Sequence, residues 1–342
     1  MLFCVAKGSL RAKPPVGRAG KGSTVPAGVS CHPVIPGGMM LDQWTSYFRP
    51  AMKNYLFLAA ALVIASSCKK DDDNPPTTPG PRLVLKFKFD STQVRLNNLG
   101  LPSVMPAGHA GQSPRFNSMS AHYVEFAPDM WTPLGSGDVV YHAPETAAGG
   151  AMAIDFSQSV RKGEGEAFLN IPLSQLAPGT YEWLRVSLGY QNYDIDFAIT
   201  QPIPLSLSGS LASFIGYNTY ITSTLVKDSL LTVNDDRLQG FWAFETIYTL
   251  DSGSAAGAIT VPNPINGTSP IPAGSCVVTG AFSAPLVITG NETQDVVITV
   301  SLSTNKSFEW IDPDGDNVFE PGFPELEQVV DMGIRGLIPI VQ

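Results

Sequence analysis

Carboxylates at alternate positions near the end of the chain form its most specific chemical pattern. Asp312, Asp314 and Asp316 alternate along a segment that contains Gly315. Glu320 follows soon after. Ca²⁺ takes about six to eight oxygen ligands, and a turn with a glycine can point several carboxylates at one centre. The glycine is not where an EF-hand has it, so a compact structural Ca²⁺ site of another kind is a hypothesis for this segment and not the favoured interpretation. The alternative is a solvated acidic turn whose Asp side chains cap backbone N–H groups.

Histidines offer a second kind of chemistry. His109, His122 and His142 lie in the part of the chain that reads as strands, and none belongs to an H-E-x-x-H or H-x-H pattern. Imidazole nitrogens bind copper and zinc well, so a transition-metal site built from all three is one hypothesis. The alternative is that each is a core or edge residue with one hydrogen-bonded ring nitrogen.

A mixed polar and aromatic stretch, residues 190–194, is the best candidate for ligand binding. Aromatic faces stack on sugar rings, and amides supply hydrogen bonds. We therefore expect Tyr190, Asn192 and Tyr193 to form a ligand site at a strand end. The alternative is that these aromatic side chains face the core, as large aromatics in strands usually do.

Motifs for catalysis are missing. The sequence has no G-x-S-x-G elbow, no P-loop and no G-x-G-x-x-G loop. Glu164 and Glu166 would share one face of a strand and mimic a carboxylate pair, but a charged hairpin start is the favoured interpretation. Cys276 precedes an apolar run and is interpreted as a buried, inert thiol. The sequence thus favours a protein that is not an enzyme.

Strands must position these residues. Leu83, Leu85 and Phe87 alternate with polar or smaller residues, the period of a half-buried strand. Further strands are predicted at 119–127, 165–171, 180–189, 194–199, 214–224, 240–250 and 295–304. The best helical candidate is short, at 325–332. Many strands with turn signals between them and no βαβ rhythm predict an all-β fold, an antiparallel β-sandwich with few short helices.

Composition supports this fold class and limits the partners. The 342 residues include 32 Gly and 29 Pro, and only 15% are charged, against a usual ~25%. The net charge of −9 argues against nucleic-acid binding. One large sandwich and two smaller ones both fit residues 82–342, with a break expected at 200–205 or 255–272 if there are two.

A secretory signal occupies residues 52–67. Lys53 lies in a short n-region, residues 55–65 form an apolar run, and two serines precede Cys68. Such a run is too short to span the ~30 Å of a bilayer core. Residues 1–51 are basic and lack apolar periodicity, so we interpret them as an upstream extension from a start codon assigned too early, with Met52 as the true start. The alternative is a genuine disordered leader.

The residues around Cys68 resemble a lipoprotein motif. The sequence ASSC at 65–68 is similar to a bacterial lipobox, whose Cys is lipidated, although Ala65 stands where Leu is commonest. SCKKDDD begins at Ser67, and together with the Pro/Thr-rich residues of the tether, 68–81, it resembles surface lipoproteins of the Bacteroidota. The resemblance implies a protein held in the outer membrane by lipid on Cys68 and facing the cell surface.

A second resemblance covers residues 83–189. LVLKFKF, then MSAHYVEF, then APGTYEWLRVSLG is similar in layout to MbnP-like β-sandwich lipoproteins. Some members of that family are implicated in copper handling. The similarity of layout assigns no metal ligand in this chain.

Three functions follow as hypotheses. The first is a non-enzymatic module that binds a glycan, a protein or a small ligand at strand-end loops, where an aromatic platform is expected. The second is a metal-handling lipoprotein, for which the three histidines must converge. The third is a hydrolase with an unrecognised site, which requires paired carboxylates in a deep cleft.

Overall fold

A computed structural model describes residues 80–255 and 275–342. The leader at 1–51, the signal segment at 52–67, Cys68 and nearly all of the tether at 68–81 lie outside the described residues. Most of the candidate break at 255–272 lies outside them as well. Among the described helices, none is long and apolar enough to cross a membrane.

The described residues form strands almost throughout, with two short 3-10 helices at Phe156–Gln158 and Leu173–Gln175. In chain order the strands are β1 (Arg82–Asp90), β2 (His109–Gln112), β3 (Arg115–Ala127), β4 (Asp138–His142), β5 (Glu145–Thr146), β6 (Ala153–Asp155), β7 (Ala167–Pro172), β8 (Gly179–Ile199), β9 (Leu205–Phe214), β10 (Asn218–Leu225), β11 (Leu230–Leu238), β12 (Phe241–Glu245), β13 (Leu250–Ser254), β14 (Cys276–Ile288), β15 (Val296–Ser303), β16 (Phe308–Ile311), β17 (Val329–Met332) and β18 (Leu337–Val341).

Two sheets form the main β-sandwich. The larger has the order β13-β12-β9-β8-β3-β4, and β14 also pairs with β8. The smaller has the order β18-β15-β1-β7. The alternation predicted for β1 is confirmed, because Leu83, Leu85 and Phe87 are fully buried and pack with Val186 of β8 and Val300 of β15 in one core cluster. Apolar burial of this kind is what holds two sheets together.

Strand β8 connects this core with two further clusters. Tyr190 belongs to a cluster with residues of β9, β10 and β12, beside the four-stranded sheet β11-β10-β6-β5. Tyr193 and Phe197 belong to another, with Phe308 and Trp310 of the three-stranded sheet β17-β16-β2. The all-β prediction is confirmed. Most pairings are antiparallel, while β1 with β15 and β6 with β10 are parallel.

Two predicted features are wrong. The segment 325–332 is not a helix, because its end is strand β17, which pairs with β16. A short apolar spacing fits helix and strand alike, and tertiary pairing decided between them. The strands predicted at 180–189 and 194–199 are one strand, β8. The segment 200–205, one of the two candidate breaks, connects β8 with β9, and these strands pair with each other from Ile199 with Leu205 onward.

Candidate functional site

The β3–β4 pair brings two of the three predicted histidines together. Tyr123 lies opposite His142 in the strand register, and the N–H of Ala143 donates to the carbonyl of His122 at 2.7 Å. The two imidazole rings lie 4.8 Å apart between centroids. The chain then enters β5, which places Glu145 beside them.

His122, His142 and Glu145 form a group in which one ligand atom of each lies within 4.8 Å of the others. His122 Nε2 donates to Glu145 Oε1 at 2.9 Å, and the hydroxyl of Tyr217 donates to the same oxygen at 2.8 Å. This hydrogen bond places the ring proton on Nε2, because a carboxylate accepts only. The geometry matches the carboxylate–histidine pairs that orient metal ligands.

Burial favours the neutral form of His122. Its side chain is almost completely enclosed, and this desolvation lowers the pKa of His122. The hydrogen bond to Glu145 raises the pKa, while the nearby His142 lowers it further. Nδ1 of His122 makes no hydrogen bond to any described residue. A neutral imidazole with a free lone pair is the form that binds copper or zinc.

His109 does not join this group. It lies on β2, where its Nδ1 is 2.6 Å from Glu309 Oε1, and Arg95 forms an ion pair with the same carboxylate. Burial would raise the pKa of Glu309, but the hydrogen bonds from His109 and Arg95 lower it. His109 therefore belongs to a charged network on another sheet, and the expectation that all three histidines converge is wrong. Spacing could not show this, because strand order is set by long-range pairing.

The predicted acidic residues lie in the connection between β16 and β17. Asp312, Asp314 and Asp316 bring ligand atoms within 4.8 Å of one another, and Asp314 forms a second such group with Glu320 and Glu325. Asp312 also accepts the N–H of Gly315 at 3.0 Å and of Asn317 at 3.1 Å. The Asp caps that the acidic-turn interpretation predicts are therefore present, on carboxylates that also lie close to one another.

Two glutamates of this connection are buried. Burial raises the pKa of Glu320, and the surrounding carboxylates, Asp316 first among them, add to the effect. Burial also raises the pKa of Glu327 to about 7, with Asp312, Asp314 and Asp316 contributing. Glu327 was not among the predicted ligands, because nothing in its local sequence distinguishes it from an exposed surface glutamate.

The stretch 190–194 offers no surface to a ligand. It lies in the middle of β8, and Tyr190, Asn192 and Tyr193 are all buried. The Asn192 side-chain amide donates to the carbonyl of Val226 at 2.8 Å. The expectation that these residues lie at a strand end is wrong, because β8 continues through them and neighbours cover both of its faces.

An aromatic surface exists elsewhere, formed by the β12–β13 turn, the loop after β8 and the β16–β17 connection. Tyr248 and Phe323 are 70% and 71% exposed. They line an apolar groove of about 460 Å³ together with Phe197, Ile199 and Leu207. Neither residue is predicted from the sequence to contact a ligand. A sequence signal for an exposed apolar surface at Tyr248 does exist, because Ile247 and Tyr248 are adjacent apolar residues inside a turn.

A polar groove of about 470 Å³ adjoins the apolar one and shares Thr246, Tyr248 and Thr249 with it. Its far side is the turn 227–229, held by Glu245. Burial would raise the pKa of Glu245, but the hydroxyl of Ser229 and the backbone N–H groups of that turn lower it. The distances from the Glu245 oxygens to those backbone nitrogens are 2.8 to 3.2 Å. Tyr248 therefore belongs, with Thr246 and Thr249, to the part of the surface where the apolar and polar grooves meet.

No protein-family model, no curated protein and no solved structure matches this chain. The chemistry of its own residues is therefore the basis for a function.

The remaining candidates contribute no catalytic arrangement within the described residues. Glu164 and Glu166 lie in the turn before β7 rather than on a strand, and each accepts a backbone N–H, from Phe89 and Gly163. Both carboxylates thus lie in a charged turn, but the predicted hairpin is wrong, because β7 pairs with β1 and the preceding strand β6 belongs to another sheet. Burial raises the pKa of the Cys276 thiol to about 12, with the charge of Asp331 adding to it, so the thiolate is scarce at neutral pH.

Proposed function

We propose that this chain is a lipid-anchored protein of the outer membrane that faces the cell surface and binds a glycan without catalysing a reaction. The sequence around Cys68 supports the anchor. One acyl chain contributes ~0.8 kcal/mol per buried methylene, and lipoprotein cysteines carry more than one chain. The Pro-rich segment that follows acts as a semi-rigid spacer between lipid and sandwich.

The position of Tyr248 between the two grooves is the observation that carries the binding role. A sugar ring has an apolar face and a hydroxyl-bearing edge. The Tyr248 ring can stack on the face, as aromatic rings do on flat apolar surfaces. Lys227, Asp228 and Ser229 line the polar groove beside it and offer donors and acceptors to the hydroxyls.

Charge narrows the class of glycan. The residues from Cys68 onward include 29 acidic and 14 basic side chains, so the folded part repels anionic polymers. Neutral polysaccharides fit this surface better than uronic acids or nucleic acids do.

Binding to a panel of neutral oligosaccharides, followed by calorimetry on those retained, tests this function. Tyr248→Ala should lower the affinity at least tenfold. Trp131→Ala is the matched control, because Trp131 is equally exposed at 75% but lies on the β3–β4 connection. Equal losses in both variants, or no binding to any neutral glycan, would contradict the proposal, and cleavage of the glycan would contradict the non-enzymatic role.

The anchor is tested separately by intact mass after expression from Met52 in a host of the Bacteroidota. We expect diacyl or triacyl mass on Cys68 and release of the protein into the medium in Cys68→Ala. An unlipidated chain that still carries residues 1–51 would contradict the localisation.

Transition-metal binding is a second candidate function, favoured by the convergence of His122, His142 and Glu145. Two imidazoles suit Cu²⁺ or Zn²⁺, with Glu145 orienting the His122 ring through its Nε2–H and with open positions for exchange. Titration with CuCl₂ and ZnCl₂ should show binding that His142→Gln abolishes and His109→Gln preserves, because His109 lies in the Glu309 network. Loss in both variants, or in neither, would contradict this site.

A further inference from the structure

The apolar groove of about 460 Å³ is built from hydrocarbon side chains of separate chain segments. Phe197, Ile199 and Leu207 come from β8 and β9, Tyr248 from the β12–β13 turn, and Phe323 from the β16–β17 connection. Its volume lies in the range of small-molecule sites, about 300–1,000 Å³. A groove of this size and composition offers burial to an apolar part of a ligand.

The threonine hydroxyls of the apolar groove are already used by the turn that carries them. Thr246 Oγ1 accepts the N–H groups of Tyr248 and Thr249 at 3.1 and 3.0 Å. Thr249 Oγ1 donates to Asp251 Oδ2 at 2.8 Å. Apart from the Tyr248 hydroxyl, Gln201 supplies the polar side chain that is left among the lining residues. A sugar ring buried here would leave most of its hydroxyls without partners, which is costly, whereas a hydrocarbon chain has no such cost.

The adjoining polar groove has the opposite character. Lys227 and Asp228 are exposed on its lining, and within the described part of the chain neither takes part in an ion pair. An ammonium group donates and a carboxylate accepts, so the two together suit hydroxyl groups, which do both. The charge of Glu245 is bound by the N–H groups of the turn 227–229. The opposite charges of Lys227 and Asp228 therefore favour a neutral, hydroxyl-rich group in this groove.

The two grooves meet at Thr246, Tyr248 and Thr249. A ligand that fills both must change from apolar to polar over the width of a single turn. An oligosaccharide is polar along its whole length, and a fatty acid ends in a charge. A sugar joined to a hydrocarbon chain changes its character at one bond, and the ring next to that bond can stack on Tyr248.

We propose that the two grooves form one site for a glycolipid, a neutral sugar head group that carries an alkyl or acyl chain. The chain lies in the apolar groove against Leu207 and Phe323, the first sugar ring lies on Tyr248, and the hydroxyls of the head group contact Lys227 and Asp228. This inference rests on the proposed glycan function and narrows its ligand. Burial of the chain supplies affinity, and the head group supplies specificity.

Calorimetric titration of the full-length Cys68→Ala chain, which carries no lipid and needs no detergent, tests the site. The probes are butyl, hexyl and octyl β-glucoside below their micelle concentrations, with maltose as the sugar that has no chain. Kd should fall about fourfold for each methylene that enters the groove, and at least tenfold from butyl to octyl glucoside. The heat-capacity change of binding should become more negative with chain length, because apolar surface is buried.

Two variants separate the chain from the head group. Phe323→Ser should remove most of the gain from chain length and leave maltose binding unchanged. Asp228→Ala should weaken binding of all three glucosides by the same factor and preserve the dependence on chain length. Trp131→Ser is the control for Phe323→Ser, because Trp131 is equally exposed and lies outside both grooves.

Head groups decide between a glycolipid and other amphiphiles. Octyl sulfate and octylphosphocholine carry the same chain on an anionic and a zwitterionic head group, and each should bind at least tenfold more weakly than octyl glucoside. The proposal is overturned if affinity does not depend on chain length, if either compound binds as well as octyl glucoside, or if Phe323→Ser and Trp131→Ser behave alike. Maltose binding with no gain from a chain would overturn the glycolipid site and leave the glycan function standing. An absence of binding by every probe would contradict both.

Discussion

Glu125 and Arg185 occupy facing positions of β3 and β8, and neither side chain has any exposure to solvent. The closest approach between Arg185 Nη1 and Glu125 Oε2 is 3.7 Å. Glu125 also accepts the N–H of Gly137 at 2.6 Å, and Arg185 donates to the carbonyl of Met130 at 3.2 Å. Through these hydrogen bonds to Gly137 and Met130, the pair attaches the β3–β4 connection to the centre of the largest sheet.

Removal of Glu125 should destabilise the fold strongly. Glu125→Ala leaves the Arg185 charge buried without a partner, for which losses of about 3–5 kcal/mol are typical. Urea unfolding followed by tryptophan fluorescence measures this. Asp196→Ala is the matched control, because Asp196 pairs with Arg115 across the same two strands at the surface and should cost at most ~1 kcal/mol. Similar losses in the free energy of unfolding of the two variants would contradict a larger contribution from the buried pair.

Stability should depend on pH through Glu245. Since hydrogen bonds from the turn 227–229 lower the pKa of Glu245, its contribution is present above the ordinary pKa of 4.5 and is lost as pH falls through the lower folded value. Glu245→Gln should lower Tm at pH 7, because an amide nitrogen would face the donors of the turn. The difference in Tm between Glu245→Gln and the native chain should decrease in thermal scans made at pH values down to 2. A Tm difference that does not change with pH would contradict a stabilising role for the Glu245 charge.

Cys276 should be unreactive in the folded protein. A thiol with a pKa of about 12 is protonated at pH 8, and the protonated form is a poor nucleophile. Iodoacetamide at pH 8 should leave the Cys276 peptide unmodified in peptide mapping, whereas the same treatment in denaturant should modify it fully. Rapid modification of the native chain would indicate an open and activated thiol instead.

Local pattern in the sequence was enough for the fold class. The alternation of Leu83, Leu85 and Phe87 predicts a strand with one buried face, because successive side chains of a strand point to opposite sides. The structure confirms the all-β sandwich, and the acidic residues 312–320 do come together in space. Both are properties of short segments, which neighbouring residues along the chain largely determine.

Only the tertiary structure decided which residues meet. His122 joins Glu145 while His109 joins Glu309, because β3 pairs with β4 but β2 pairs with β16 from far along the chain. Tyr190 and Tyr193 are buried because β8 is central, and Tyr248 is exposed because its turn lies at a sheet end. Strand order depends on hydrogen bonds between distant segments, and burial depends on which sheet covers which face. The spacing of neighbouring residues shows neither strand order nor burial. The sequence therefore predicts the fold class but not which residues come together in each site.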